Sequence, residues 1–352
     1  MKRFRILILN EFKLARSTLA IHLVSLLQPT IMYILMAFIL VNPTFDMYIN
    51  QPYSPESRQL IDAMKHIGSP IGLPYINPIP TNIENPGEIR QLVFVGKGAQ
   101  GVTAIQHFGL LDSNMVKNYR NRLTSAALYL WNQDLGSQGV TINEHPLLPE
   151  DIPYTVYFGV AMLTLTAFLS SAFIASILTT LEFEHNTILE YRLATAQVGL
   201  ILAAKIIRLI ITALIASLIQ FLAVYAITGF FPTAPALVFL ILIPVSLVGS
   251  SLGISTGLLF RQTIPSFVIC LAVTFASWLL GSGFGLAAGF NPLFEAISKL
   301  TPNTHAVELI FPLYYHVGVG KPLTQIFSLV VFSTLALGAI VIFYFKNVQK
   351  QG

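Results

Sequence analysis

YTVYFGVAMLTLTAFLSSAFIASILTTL, residues 154–181, contains no Asp, Glu, Lys or Arg. A helix needs about 20 apolar residues to cross the hydrocarbon core of a bilayer, and this run exceeds that length. In lipid only helices and closed barrels satisfy their backbone groups. The apolar residues here are continuous and do not alternate, so the stretch reads as a spanning helix and not as a barrel strand. The rest of the chain agrees. Of its 352 residues 54% are hydrophobic and only 10% are charged, against about 25% charged in a soluble domain; the mean hydropathy is +0.70. So few charges cannot cover a water-soluble surface, which excludes a large soluble enzyme.

Toward the amino terminus lie about 110 residues of ordinary soluble composition, 42–153, marked by turns at Pro70, Pro74, Pro78, Pro80 and Pro86. Leu92–Val95 and Val102–Phe108 read as strands. Asp112 or Ser113 caps a helix whose apolar stripe is Met115, Tyr119, Leu123, Ala127 and Leu130. This is a small α/β domain inserted between span one, 18–41, and span two, 154–181. Before span one, residues 2–16 read KRFRILILNEFKLAR. Phe4, Leu7, Ile8, Phe12 and Leu14 share one helical arc. Lys2, Arg3, Arg5, Lys13 and Arg16 lie opposite, with Glu11 the exception. Residues 1–17 are thus expected to form a helix lying in the membrane interface, and no cleavage site marks them for removal.

Toward the carboxyl terminus the expected order is a polar segment at 182–200, span three at 201–228, span four at 236–260 and span five at 264–288. A semi-polar segment follows at 289–322, then span six at 323–345 and a tail at 346–352. The fold class is an all-α polytopic membrane protein with six spans, an interfacial helix and one inserted α/β domain. Lys and Arg gather at the amino terminus, at 182–208, at Arg261 and at the carboxyl terminus, while the 229–235 turn has none. By the positive-inside rule both ends are cytoplasmic and the 42–153 domain lies outside the cell membrane. No internal repeat is visible.

The energy source is the next question. No G-x-x-x-x-G-K-[ST] is present; Gly96-Lys97-Gly98 lacks the spacing and the hydroxyl. Apart from Lys205 and Arg208 near one end of span three, the span interiors hold no Asp, Glu, Lys or Arg, groups that ion-coupled carriers normally need at mid-membrane. If this chain transports, a partner supplies the energy. No strand–turn–helix nucleophile setting appears, so no catalytic residue and no enzyme activity are assigned. The lone Cys270 excludes an internal disulfide. No metal site is read, since His305 and Glu308 alone are too few ligands. A charge of +4, dispersed along the chain, gives no reason to expect nucleic acid.

The segment LEFEHNTILEYRLATA, residues 181–196, has Glu182, Glu184 and Glu190 beside Ile188, Leu189 and Leu193. It suits a short amphipathic helix at the inner membrane surface, and acids on that flank point to a docking element for a cytoplasmic partner. Its order of residues resembles the E-R-E-x-G-T-L-E-x-L segment of ABC-2 type exporter permeases, the membrane subunits of ABC transporters. Asn186 stands where that family usually has Gly, and Ala196 where it often has Pro after Thr195; both departures touch turn geometry. Asn10-Glu11-Phe12 with Arg16 is similar to the family's interfacial helix. SWLLGSGF, 277–284, with NPLFEAISKLTPNTHAVELI, 291–310, is similar to its last-loop pattern. The long domain between spans one and two matches the branch that carries one.

The resemblance implies two permease subunits, identical or different, in the lipid bilayer above two ABC ATPase subunits. Those partners would bind ATP and Mg; no cofactor is implied on this chain. Coupling to the ATPase would fall to Glu182, Glu184, Asn186, Thr187, Leu189, Glu190 and Arg192, and the interfacial helix to Glu11, Phe12 and Arg16. A cargo path lined by spans one, two and five would carry a lipid-like, drug-like or other amphipathic molecule outward. Gln28, Gln220 and Ser246 are the polar span residues available to it.

Two rows of glycine at four-residue spacing, Gly249, Gly253, Gly257 and Gly281, Gly285, Gly289, let helices approach closely. Gly283 beside the second row marks a break or hinge near Phe284. The 289–322 segment, with Pro292, Pro302 and Pro312, reads as a re-entrant hairpin with Tyr314 and Tyr315 in an aromatic belt. Three rival readings are a sensor, a secondary carrier and a non-transporting ABC-type subunit that moves its outer domain. The first lacks an output domain and the second lacks intramembrane charges.

Overall fold

The computed structural model describes residues 2–14, 19–40, 44–50, 55–68, 74–82, 91–98, 101–108, 113–135, 154–187, 198–281, 283, 292–316 and 322–349. In chain order these form α1 (Lys2–Leu14), α2 (Leu19–Leu40), β1 (Phe45–Asn50), α3 (Pro55–His66), β2 (Ile76–Thr81), β3 (Gln91–Gly98), β4 (Gly101–Phe108) and α4 (Ser113–Leu135). There follow α5 (Tyr154–Glu184), α6 (Val198–Thr228), α7 (Pro235–Phe260), α8 (Thr263–Leu280), α9 (Pro292–Ser298), α10 (Pro302–Tyr314) and α11 (Pro322–Gln349). Among them α2, α5, α6, α7, α8 and α11 are long and apolar enough to cross a membrane. Two units result: residues 1–38 with 152–352, and residues 39–151.

In the first unit the helices gather around α5, and residue size explains why. The row Gly249, Gly253 and Gly257 puts a flat stripe of α7 against α5. A Cβ at Gly249 would lie 2.3 Å from the Ser171 hydroxyl, and one at Gly253 would lie 2.1 Å from the Ala172 carbonyl. The facing residues Ser171, Ala172, Ala175 and Thr179 are themselves small, so the two backbones nearly touch and gain dispersion contacts that lipid cannot offer. On another face Gly159 receives Val224 of α6. Three hydroxyls of α5 are satisfied locally: Thr164, Thr166 and Ser171 donate to carbonyls one turn back, at 2.7–2.8 Å. Ser170 donates to Ser25 of α2 at 2.9 Å, and the Trp278 indole of α8 donates to Ala161 at 2.9 Å.

The consequence is that the whole apolar stretch of α5 is buried within its own chain. This corrects the expected path lined by spans one, two and five: small residues draw neighbours onto every face of span two and leave it no open side there. Exposed apolar residues lie instead on α2 (Leu35, Phe38), α6 (Leu222), α7 (Leu240), α8 (Ile264, Val268) and α11 (Phe327, Ile342).

The helices α5 and α6 have 31 residues each, about 46 Å at 1.5 Å per residue, against a hydrocarbon core of about 30 Å. Their surplus turns carry charge: Glu182 and Glu184 close α5, and Lys205 and Arg208 lie near the start of α6. At the other end α8 stops at Leu280, earlier than the 264–288 expected for span five. The Gly281 and Gly283 amides turn back onto Ser277 and Trp278 at 2.9 and 3.0 Å. Phe284, Gly285 and Gly289 lie outside the described residues. The helices α9 and α10 follow; α10 has 13 residues, about 20 Å, too short to span, yet Asn303, Ala306, Val307 and Ile310 on it are buried.

The 39–151 unit is a four-stranded sheet in the order β2-β1-β3-β4, with β1 parallel to β2 and β3, and β3 antiparallel to β4. Met47, Ile49, Ile76 and Val93 form one core with Leu60 and Met64 of α3 and Tyr119 and Ala126 of α4. The stripe of α4 runs through Ala126; Ala127 is exposed. The strand β2 escapes a pattern reading because Pro78 and Pro80 look like turns. They sit on an edge strand, where a missing N–H breaks no ladder on the solvent side.

Candidate functional site

The ends of α5, α6, α7, α8 and α11 meet α1 in one charged cluster, and it is built from few residues. The Lys205 ammonium pairs with Glu182 across α6 and α5, and lies 5.7 Å from the centre of the Tyr344 ring of α11. Arg208 is 1% exposed; its Nη1 donates to the Glu11 carboxylate of α1 at 2.9 Å, and its Nη2 lies 2.9 Å from Nε2 of His22 on α2. Two bases and two acids balance, which is what burial at this depth requires. Glu184 plays a different part. Its Oε1 accepts from the amide and the hydroxyl of Thr263, both at 2.9 Å. A carboxylate at a helix start takes up an otherwise orphan amide and meets the positive end of the α8 dipole.

The seam between α5 and α8 continues inward through hydroxyl pairs, Thr180 with Thr263 at 3.0 Å and Ser176 with Ser266 at 2.6 Å. Arg261 closes α7 in a left-handed conformation, φ 54°. From there its guanidinium lies 5.2 Å from the Phe183 ring and donates to Asn347 of α11 at 3.2 Å. The last turn of α5 is therefore fastened to α6, α7, α8 and α11 within three consecutive residues, Glu182, Phe183 and Glu184.

Just past that turn Asn186 has a φ of 57°. Its amide donates to Phe183 at 3.1 Å, and the Thr187 hydroxyl donates to the Glu182 carbonyl at 3.3 Å. A left-handed residue suits Gly first and Asn next, because a Cβ costs about 1–2 kcal/mol there. Asn186 thus adopts the backbone that a glycine at this position would allow. Leu189, Glu190 and Arg192 lie outside the described residues, as does Arg16. Glu11 is buried on α1 and Phe12 half-buried beside it.

The opposite end holds a second polar group. His305 of α10 lies between two acceptors: its Nε2 is 2.9 Å from the Lys299 carbonyl, and its Nδ1 meets the Gln325 amide oxygen of α11. The Gln325 amide nitrogen donates to Glu308. Burial raises the Glu308 pKa above the usual carboxylate range, against the opposing pull of His305 and Lys299. His305 and Glu308 are joined through a residue of the last span. Gln325, Thr263, His22 and Tyr344 were not legible as site residues; a lone polar side chain in an apolar run has no partner that spacing reveals.

Gly281 and Gly283 pack as close neighbours: a Cβ would lie 2.6 Å from the Thr301 hydroxyl and 2.7 Å from the Trp278 indole, respectively. Ser246 is bonded to Leu242 of its own helix at 2.8 Å. Gln28 is exposed. The Gln220 amide is fully buried with no partner among the described residues. Among those residues no three His, Cys, Asp or Glu side chains converge as metal ligands would.

The family model described as ABC-2 type transporter matches residues 122–315. That is more than half of the 352-residue chain and runs from α4 through α10, including the turn at Asn186. No curated protein matches.

Proposed function

Because the chain belongs to the ABC-2 type transporter family, we propose that it is the permease subunit of an ATP-driven exporter, powered by a separate ATPase and moving a lipid-like, drug-like or other amphipathic cargo outward. That it is a multi-pass membrane permease rests on the family match and the six spans. The remainder rests on the fastening of the last turn of α5. A push on the segment after Asn186 reaches α6 through Glu182–Lys205, α8 through Glu184–Thr263, and α7 and α11 through Arg261. Such a turn passes on a rigid-body displacement without absorbing it.

In this reading the charged end is cytoplasmic, as its basic flanks favour, and the 39–151 unit is outside. The ATPase, with its ATP and Mg, grips the segment carrying Leu189, Glu190 and Arg192. Glu182 and Glu184 face inward as the connection from that segment to the spans. A second permease subunit, identical or different, covers an exposed flank such as that of α2 or α8.

A tagged chain solubilised from its own membranes is expected to recover a subunit with a Walker A motif. Glu190→Lys with Arg192→Glu is expected to weaken that recovery. In vesicles the complex is expected to move a fluorescent phospholipid analogue only with ATP. Failure to recover any ATPase overturns the partnership. ATP turnover without flux, accompanied by movement of the 39–151 unit, favours the mechanical alternative. A cysteine placed at Arg120 that reacts only from the cytoplasm overturns the topology.

A further inference from the structure

Arg208 is one turn from Lys205 on α6, yet it serves different helices. Lys205 holds the end of α5; Arg208 holds Glu11 on α1 and His22 on α2. Guanidinium has donors only, so Nε2 of His22 must accept, with its proton on Nδ1. The two hydrogen bonds reach back 197 and 186 residues along the chain. The helix α1 packs chiefly on α6, and Ile6 and Leu9 on its other side are exposed. Arg208 Nε and His22 Nδ1 have no partner among the described residues. A buried network short of partners is poor static glue compared with apolar packing; what it specifies is which elements stay together.

We propose that Arg208 is a positioning residue that makes the surface helix α1 a moving part of the transporter. The proposal rests on the reading that an ATPase acts on the segment after Asn186. With Lys205 and Arg208 three residues apart on one rigid helix, displacement at Glu182 is carried by α6 to Glu11. The surface helix and the start of the first span then move with α5, although neither is its neighbour in sequence.

The test uses the chain purified with its ATPase in lipid nanodiscs, with spin labels on cysteines replacing Ile6 of α1 and Leu335 of α11, both exposed. The native Cys270 is buried and takes no label. In the unaltered network the label distance is expected to shift between the nucleotide-free and vanadate-trapped states. Arg208→Leu is expected to abolish the shift while the ATPase still co-purifies and turns over. Glu11→Gln, which keeps shape and removes charge, is the second variant should Arg208→Leu fail to fold. The exchange Glu11→Arg with Arg208→Glu is expected to restore the shift, which a merely structural role would not require. A shift that persists in both single variants overturns the proposal, as does a wild-type complex that hydrolyses ATP with α1 stationary. Absence of any co-purifying ATPase overturns the transport reading itself, and this inference with it.

Discussion

The two ends of the helical bundle are held together by different chemistry. At the charged end, carboxylates tie the helices: Glu11 pairs with Arg208, Glu182 pairs with Lys205, and Glu184 accepts from Thr263 at the start of α8. At the other end most of the buried ties are between neutral groups. Thr301 and Thr304 donate to Ser298 at 2.9 and 2.6 Å, Trp278 reaches Ala161, and Phe311 meets Tyr157 edge-on and lies tilted against Tyr315. A neutral hydrogen bond contributes about 0.5–1.5 kcal/mol, whereas breaking a buried ion pair costs about 3–5 kcal/mol because one charge is stranded. The charged end therefore loses much when one contact fails, and the neutral end loses little. The first suits a place that receives force; the second suits a place that must give.

Substitutions can break that contrast. The largest effect is expected from Lys205→Met, which strands the Glu182 carboxylate: about 3–5 kcal/mol of stability, read as a lowered unfolding midpoint in mild detergent. Exchanging the pair, Lys205→Glu with Glu182→Lys, is expected to recover most of it. An equal loss from both single variants with no recovery would show that the pair is not the tie.

Asn186→Ala is expected to cost about 1–2 kcal/mol and Asn186→Gly nothing or a slight gain, because only the left-handed backbone separates the two. Equal midpoints for the two variants would contradict that backbone. At the neutral end, Thr304→Val keeps the shape and removes the hydroxyl's contacts with Ser298 and Thr301, with an expected loss of about 1–2 kcal/mol. A loss as large as that of Lys205→Met would erase the contrast between the ends.

The smallest effect concerns pH. The Glu308 pKa is raised by burial, so its contribution to stability is full below the ordinary carboxylate pKa and is lost as pH rises through the raised value. Across that window the wild-type midpoint is expected to fall with rising pH, and that of Glu308→Gln to stay flatter. Parallel curves would show that the carboxyl is not the titrating group.

Much of this was readable from charge and hydropathy alone, and the reasons differ by region. The six spans announce themselves because lipid tolerates few charges, so their absence is a signal at every position. Asn186 stands out as a departure from the Gly usual in the similar family segment, where a short amphipathic helix is expected; its left-handed backbone gives Asn a reason to stand there. The strand β2 was hidden because Pro78 and Pro80 mark a turn in most settings and an edge in this one. The clamp was hidden for a different reason. Glu11, Arg208 and Lys205 were each visible, but a pairing across 197 residues leaves no trace in local spacing. His22, Thr263 and Gln325 become site residues only when the helices that face them are in place.

That long pairing has a consequence in time. Glu11 leaves the ribosome 197 residues before Arg208. At about 5–20 residues per second, the amino-terminal helix waits about 10–40 s for the side chain that will hold it. Throughout that interval its carboxylate has no buried base to meet. An amphipathic helix such as α1 can rest at a membrane surface in the meantime, until α6 is made and can collect it.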